Sequence, residues 1–113
     1  MERKELLRLV KSMDFEADYE KFYRFAQTYV FNLQRKGIDS SDSLFKVLKY
    51  CKDNYRSKNV SYRLGLSGKS ANKIEPWCNF INSRSFELKK LSLEELNYVF
   101  GCCARLCKVK KSR

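Results

Sequence analysis

The stretch "FEADYEKFYRFAQTYVFNLQRKG", residues 15–37, restricts the fold more than any other part of the chain. Phe15, Tyr19, Phe22, Phe25, Ala26, Tyr29, Val30 and Leu33 recur at three- and four-residue steps, the spacing that gathers side chains on one side of an α-helix. A strand would send them alternately to two faces. Gly37 follows, a residue suited to the left-handed conformation at which helices commonly stop. Large aromatics bury a large area each, so this helix is expected to organise the core. Tyr23 and Phe31 lie off the stripe, which implies cover on more than one side.

Other segments carry helical patterns too. In "ERKELLRLVKSM" (2–13), Leu6, Leu9, Val10 and Met13 share one face, and Lys4, Arg8 and Lys11 share another. The run "DSSDS" offers several N-cap oxygens, and after it Leu44, Leu48, Cys51 and Tyr55 form an apolar stripe with Val47 beside it. Pro76 suits the first turn of a short helix, where its missing N–H has no cost, with Trp77, Phe80 and Ile81 facing inward and an indistinct end around "NSRS". Ser92 and Glu95 make an S-x-x-E capping box, with Leu91 and Leu96 at the positions of a hydrophobic staple. Leu96, Val99, Phe100, Cys103, Leu106 and Cys107 then line one side of the last helix, and Gly101 in its middle costs stability unless another backbone packs close.

Glycine and proline are scarce, 4 and 1, so few breaks are expected. The expected fold is all-α: a compact, single-domain bundle of about five helices over residues 1–113. It carries one longer basic loop (57–75) and a basic tail (108–113, "KVKKSR") that should fray. Val60, Tyr62, Leu64 and Leu66 alternate as in a short strand, but one strand alone has no pairing partner.

Charge narrows the class of partner. The formal net charge is +11, from 24 Lys and Arg against 13 Asp and Glu. Residues 1–36 hold eight basic and six acidic residues, residues 37–70 seven and three, and residues 71–113 nine and four. The positive field therefore lies over the last two-thirds of the chain, where it favours a polyanion: nucleic acid, anionic lipid or an acidic protein.

Several chemistries lack their residues. The chain has no histidine, the commonest general base and a member of the usual triads. Its acidic clusters, Asp14, Glu16, Asp18 and Glu20 and the pair Glu94 and Glu95, stand where helices begin and the macrodipole favours negative charge. No catalytic constellation results, and an enzyme is not expected. Gly68, Lys69 and Ser70 imitate the end of a phosphate-binding loop, but the glycine required five positions earlier is Arg63, and Gly65 stands too close. No small-molecule nucleotide is therefore expected. Cys102, Cys103 and Cys107 are neighbours in sequence and Cys78 could join them as zinc ligands, yet Cys102 and Cys103 point about 100° apart on a helix. Buried thiols fit better, so no metal or cofactor is expected. Five cysteines, an odd number, together with no export signal or apolar span of membrane length, suit a reducing cytoplasm. The apolar stripes are needed for the core, which disfavours a membrane surface as the partner.

Nucleic acid fits best. Lys46, Lys49, Lys52 and Arg56 form a basic ridge on the third helix, beside Tyr50. Lys58, Arg63, Lys69 and Lys73 lie in the connection that follows, and Tyr50 or Tyr62 could stack on a base. These residues are expected to hold the phosphates of RNA or single-stranded DNA. A helix-turn-helix would want Asn, Gln or Arg reading bases where this helix carries lysines, so phosphate contact without sequence readout is the expectation. The alternative is an adaptor or inhibitor whose basic face meets an acidic protein.

Three segments, "YEKFYRFAQTYVFNLQRKGI", "SSDSLFKVLKYCKD" and "LSLEELNYVFGCCARL", carry a further likeness. In them the chain resembles the small helical subunits of multi-subunit CRISPR effector complexes. The resemblance implies a non-catalytic subunit of an antiviral ribonucleoprotein, stacked along guide or target nucleic acid together with other protein subunits. It fixes no register and so assigns no individual residue.

Overall fold

The computed structural model describes residues 2–54 and 72–111. The described residues form six α-helices and no strand: α1 (Arg3–Lys11), α2 (Tyr19–Arg35), α3 (Asp42–Asn54), α4 (Ile74–Ser83), α5 (Ser85–Leu88) and α6 (Leu93–Lys111). The fold is all-α. The alternating residues 60–66 lie outside the described residues.

The central unit is α2 packed on α6. Three contacts fix the pair as antiparallel. The Phe15 carbonyl just before α2 accepts a 2.6 Å hydrogen bond from Lys110 Nζ, the Tyr23 and Phe100 rings lie 6.3 Å apart, and Gln27 Nε2 donates to Asn97 Oδ1 over 3.3 Å. The first of these contacts involves Lys110, which falls in the basic tail (108–113) expected to fray; residues 112–113 lie outside the described residues. The helix runs through Lys111.

The buried line on α2 is Tyr19, Phe22, Tyr23, Ala26, Val30 and Leu33. Tyr23, placed off the stripe by the sequence reading, is fully buried, while Phe25 and Tyr29 are only partly so. The reason is the size of the residues at the centre. Ala26 and Val30, both 0 % exposed, let α6 approach closely, and the bulkier Phe25 and Tyr29 are pushed to the flank of that contact. Phe31, on the far side, is exposed. α2 ends as Gly37 implies: its φ is +74°, its N–H bonds the Gln34 carbonyl at 3.0 Å, and the Ile38 N–H bonds that of Leu33 at 3.0 Å. This crossed pair satisfies carbonyls that a helix end otherwise leaves open.

Trp77 links this unit to the rest. α4 packs on α3, where the Cys78 thiol donates to the Leu48 carbonyl at 3.5 Å. From α4, Trp77 reaches α2: its ring lies 5.5 Å from Phe22 and 5.5 Å from Tyr23, edge-on to the latter at 87°. Edge-to-face rings add roughly 0.5–1.5 kcal/mol per pair beyond the area they bury. The buried Tyr23 hydroxyl offsets its loss of water by donating to the Asp14 carbonyl at 2.8 Å, so one residue ties α2, α4, α6 and the α1–α2 connection together. α1 lies on α6, with the Arg3 guanidinium 5.7 Å from the centre of the Tyr98 ring.

The capping box forms as its spacing requires. Ser92 N–H donates to Glu95 Oε1 at 2.9 Å and Glu95 N–H to Ser92 Oγ at 3.1 Å, with Leu91 and Leu96 both buried. Two boundaries differ from the sequence reading. The connection expected over 57–75 stops earlier, because Ile74 and Glu75 already belong to α4. The segment read as one short helix with a vague end is two, broken at Arg84. Leu106, expected inward, is 42 % exposed, because the buried side of α6 here runs through Cys103, Ala104 and Cys107.

Candidate nucleic-acid interface

α3 sets one side of the candidate interface. Leu44, Phe45, Leu48 and Cys51 are buried, which anchors the helix and turns Lys46, Lys49 and Tyr50 to solvent. Tyr50 is 56 % exposed, open enough to stack on a base, and Lys52 is half-buried on the flank. Among the described residues neither Lys46 nor Lys49 has an acidic partner within ion-pair distance. The face is less purely positive than the ridge alone implies. Asp42 stands four residues before Lys46 and Asp53 four residues after Lys49, so both acids fall on the same side of the helix.

Lys73 is placed elsewhere. It precedes α4 and its Nζ lies 3.8 Å from Glu16 Oε2, both side chains being about half exposed, so part of its field is spent on that carboxylate. Exposed pairs of this kind are weak, and the lysine stays free to exchange partners. Arg56, Lys58, Tyr62, Arg63 and Lys69 lie outside the described residues, as do Tyr55 and the glycines Gly65 and Gly68.

A second basic element went unmarked in the sequence. Around α5, Arg84, Lys89 and Lys90 accompany three phenylalanines. Arg84 lies 5.6 Å from the centre of the Phe80 ring, Lys89 Nζ 5.2 Å from that of Phe45, and Lys90 Nζ 4.1 Å from that of Phe86. The Phe45–Lys89 contact matters most, because Phe45 belongs to α3, one turn before Lys49. The signal was present in "SRSFELKK": an aromatic with a lysine four residues on, the spacing that pairs side chains on one helix face.

The thiols are packing groups. All five cysteines are free; Cys51, Cys78, Cys103 and Cys107 are buried and Cys102 is partly so. Burial pushes Cys78 up to about 12, against 9.0 for an ordinary thiol. Cys107 is pushed up to about 11 and Cys103 is also raised, again chiefly by burial. Among the described residues no group of three or more Cys, Asp and Glu side chains is gathered as metal ligands would be. Among the same residues, no helix is long and apolar enough to cross a membrane.

The chain matches no protein-family model, no curated protein and no solved structure.

Proposed function

We propose that this protein binds RNA or single-stranded DNA through the exposed face of α3, gripping phosphates without reading sequence. The observation that supports this is the placement of Lys46 and Lys49, exposed and, among the described residues, without acidic partners, beside the exposed Tyr50 on a helix whose other side is built into the core. Lysines on a rigid helix meet a phosphate chain with little loss of backbone entropy, and a neighbouring tyrosine holds a base through its π-face whatever the base is. The protein has no catalytic part in this reading. It acts as a small subunit of a ribonucleoprotein assembly in antiviral defence, as the resemblance to CRISPR small subunits implies. Its free thiols suit the cytoplasm.

The test is a salt titration. Replacing Lys46, Lys49 and Arg56 together with Gln should weaken binding to unrelated oligonucleotides alike. It should also flatten the plot of log affinity against log salt by about two units, at roughly 0.7 per lost contact on a single strand. Unchanged affinity and slope would remove α3 from the interface. A parent protein with no salt-dependent binding to either polynucleotide would instead make this face the docking surface of an adaptor or inhibitor for an acidic protein.

A further inference from the structure

α5 and the turn after it present an exposed aromatic beside paired cations. Phe86 is 74 % exposed, the most open of the large apolar side chains described, while its neighbour Leu88 is fully buried and holds the short helix to the core. Lys89 and Lys90 are exposed. The one acid in this segment, Glu87, is 3.6 Å from the Arg84 guanidinium, so its charge is locally countered. Lys89 lies over Phe45 of α3, one turn from Lys49, so this corner and the α3 face meet edge to edge. Asp42 and Asp53 dilute the field of α3, and Lys89 adds positive charge at that edge, while Lys90 stands beside Phe86.

We propose that the interface continues onto this corner and that Phe86 stacks on an unpaired base whose flanking phosphates are held by Lys89 and Lys90. This rests on the nucleic-acid reading of α3 and makes it narrower: the ligand is a single strand. In a duplex each base is already sandwiched between its neighbours, and no ring face is open to a phenylalanine standing on the protein surface. An unpaired base offers that face, and one aromatic beside cations is the recurring way to hold it. The Lys90 ammonium covers one face of the Phe86 ring and leaves the other for the base. Anionic lipid suits the corner less well, because one exposed apolar side chain is too little to insert while Leu88 is committed to the core.

The experiment follows anisotropy of labelled oligo(U), oligo(dT) and a mixed-sequence duplex with the parent, Phe86→Leu, Phe86→Tyr and an α3 variant, Lys46/Lys49→Gln. Phe86 packs little, so its replacements should fold as the parent does, and circular dichroism checks this. Phe86→Leu should weaken both single strands about fivefold or more, the lower end of what one stacked base contributes. Phe86→Tyr should restore them, and duplex binding should change less than twofold. Whether oligo(U) or oligo(dT) binds more tightly identifies the natural strand. If Phe86→Leu keeps single-strand affinity while the α3 variant loses it, the corner is not part of the site and the α3 reading stands alone. If the α3 variant keeps affinity and Phe86→Leu loses it, the corner is the site and the α3 reading falls. Equal losses for single strand and duplex with Phe86→Leu would overturn the stacking claim, and a parent that binds none of the three probes overturns both.

Discussion

The side-chain amide of Gln27 fills the space that a Cβ on Gly101 would need. Built there, that carbon would lie 2.7 Å from Gln27 Nε2, inside any tolerable contact. The sequence suggests a close backbone as the reason for a glycine in mid-helix; the neighbour is instead a polar side chain, bonded to Asn97 at 3.3 Å. Gly101→Ala should therefore change stability by less than about 0.5 kcal/mol, because the helix gains about 1 kcal/mol of propensity while the displaced amide loses a similar hydrogen-bond contribution. In a Gln27→Ala background the same substitution should stabilise by about 1 kcal/mol. Urea melts of the four proteins measure the coupling, and equal effects in both backgrounds would show that Gln27 is not what Gly101 accommodates.

Tyr23, rather than Phe25 or Tyr29, should be the sensitive aromatic of α2. Tyr23→Ala should cost about 3–5 kcal/mol, as large buried aromatics do. Phe25→Ala should cost distinctly less, since Phe25 is partly exposed beside a cavity of about 10 Å³ between α2, α3 and α4. Tyr23→Phe isolates the hydroxyl that donates to Asp14, a loss of about 1 kcal/mol. A Phe25→Ala loss as large as that of Tyr23→Ala in thermal melts would restore the stripe as first read.

The thiols should report the core. With a disulfide reagent at mild alkaline pH, Cys102 should react first and the four buried cysteines only on unfolding, while a metal chelator leaves the helical signal unchanged. Stoichiometric zinc in the purified protein would contradict this. Stability should also fall at high pH. The unfolded thiols ionise near 9, whereas Cys107 and Cys78 in the fold wait until about 11 and about 12. Above pH 9 the folded state therefore holds more protons than the unfolded, and each further rise favours unfolding. A melting temperature constant from pH 8 to pH 11 would show that these thiols reach water.

The start of α6 should respond to acid in the opposite sense. The Ser92 N–H donated to Glu95 holds that carboxyl below its ordinary range, so its contribution is present above the unfolded value near 4.5 and is lost as pH falls through the folded one. Ser92→Ala should cost about 1 kcal/mol at neutral pH. Glu95→Gln should blunt the acid limb of the stability profile, and an unaltered limb would mean other carboxylates dominate it.

Much of the fold is legible in the sequence alone. The period of the apolar residues required helices, the S-x-x-E box placed the start of α6, and Gly37 placed the end of α2, because each depends on residues within a turn or two of one another. The order of burial within α2 was not legible. Large aromatics mark a stripe by size, but Ala26 and Val30 decide where α6 comes closest, and that distance belongs to the pair of helices. The proposed binding face divides in the same way. Lys46, Lys49 and Tyr50 share a ridge by spacing alone, and their sequence places them together. Lys89 meets Phe45 only because the turn after α5 is folded back to α3, a contact between residues far apart in the chain. Local spacing is written in the sequence, whereas proximity across helices is settled by how their side chains fill one shared core.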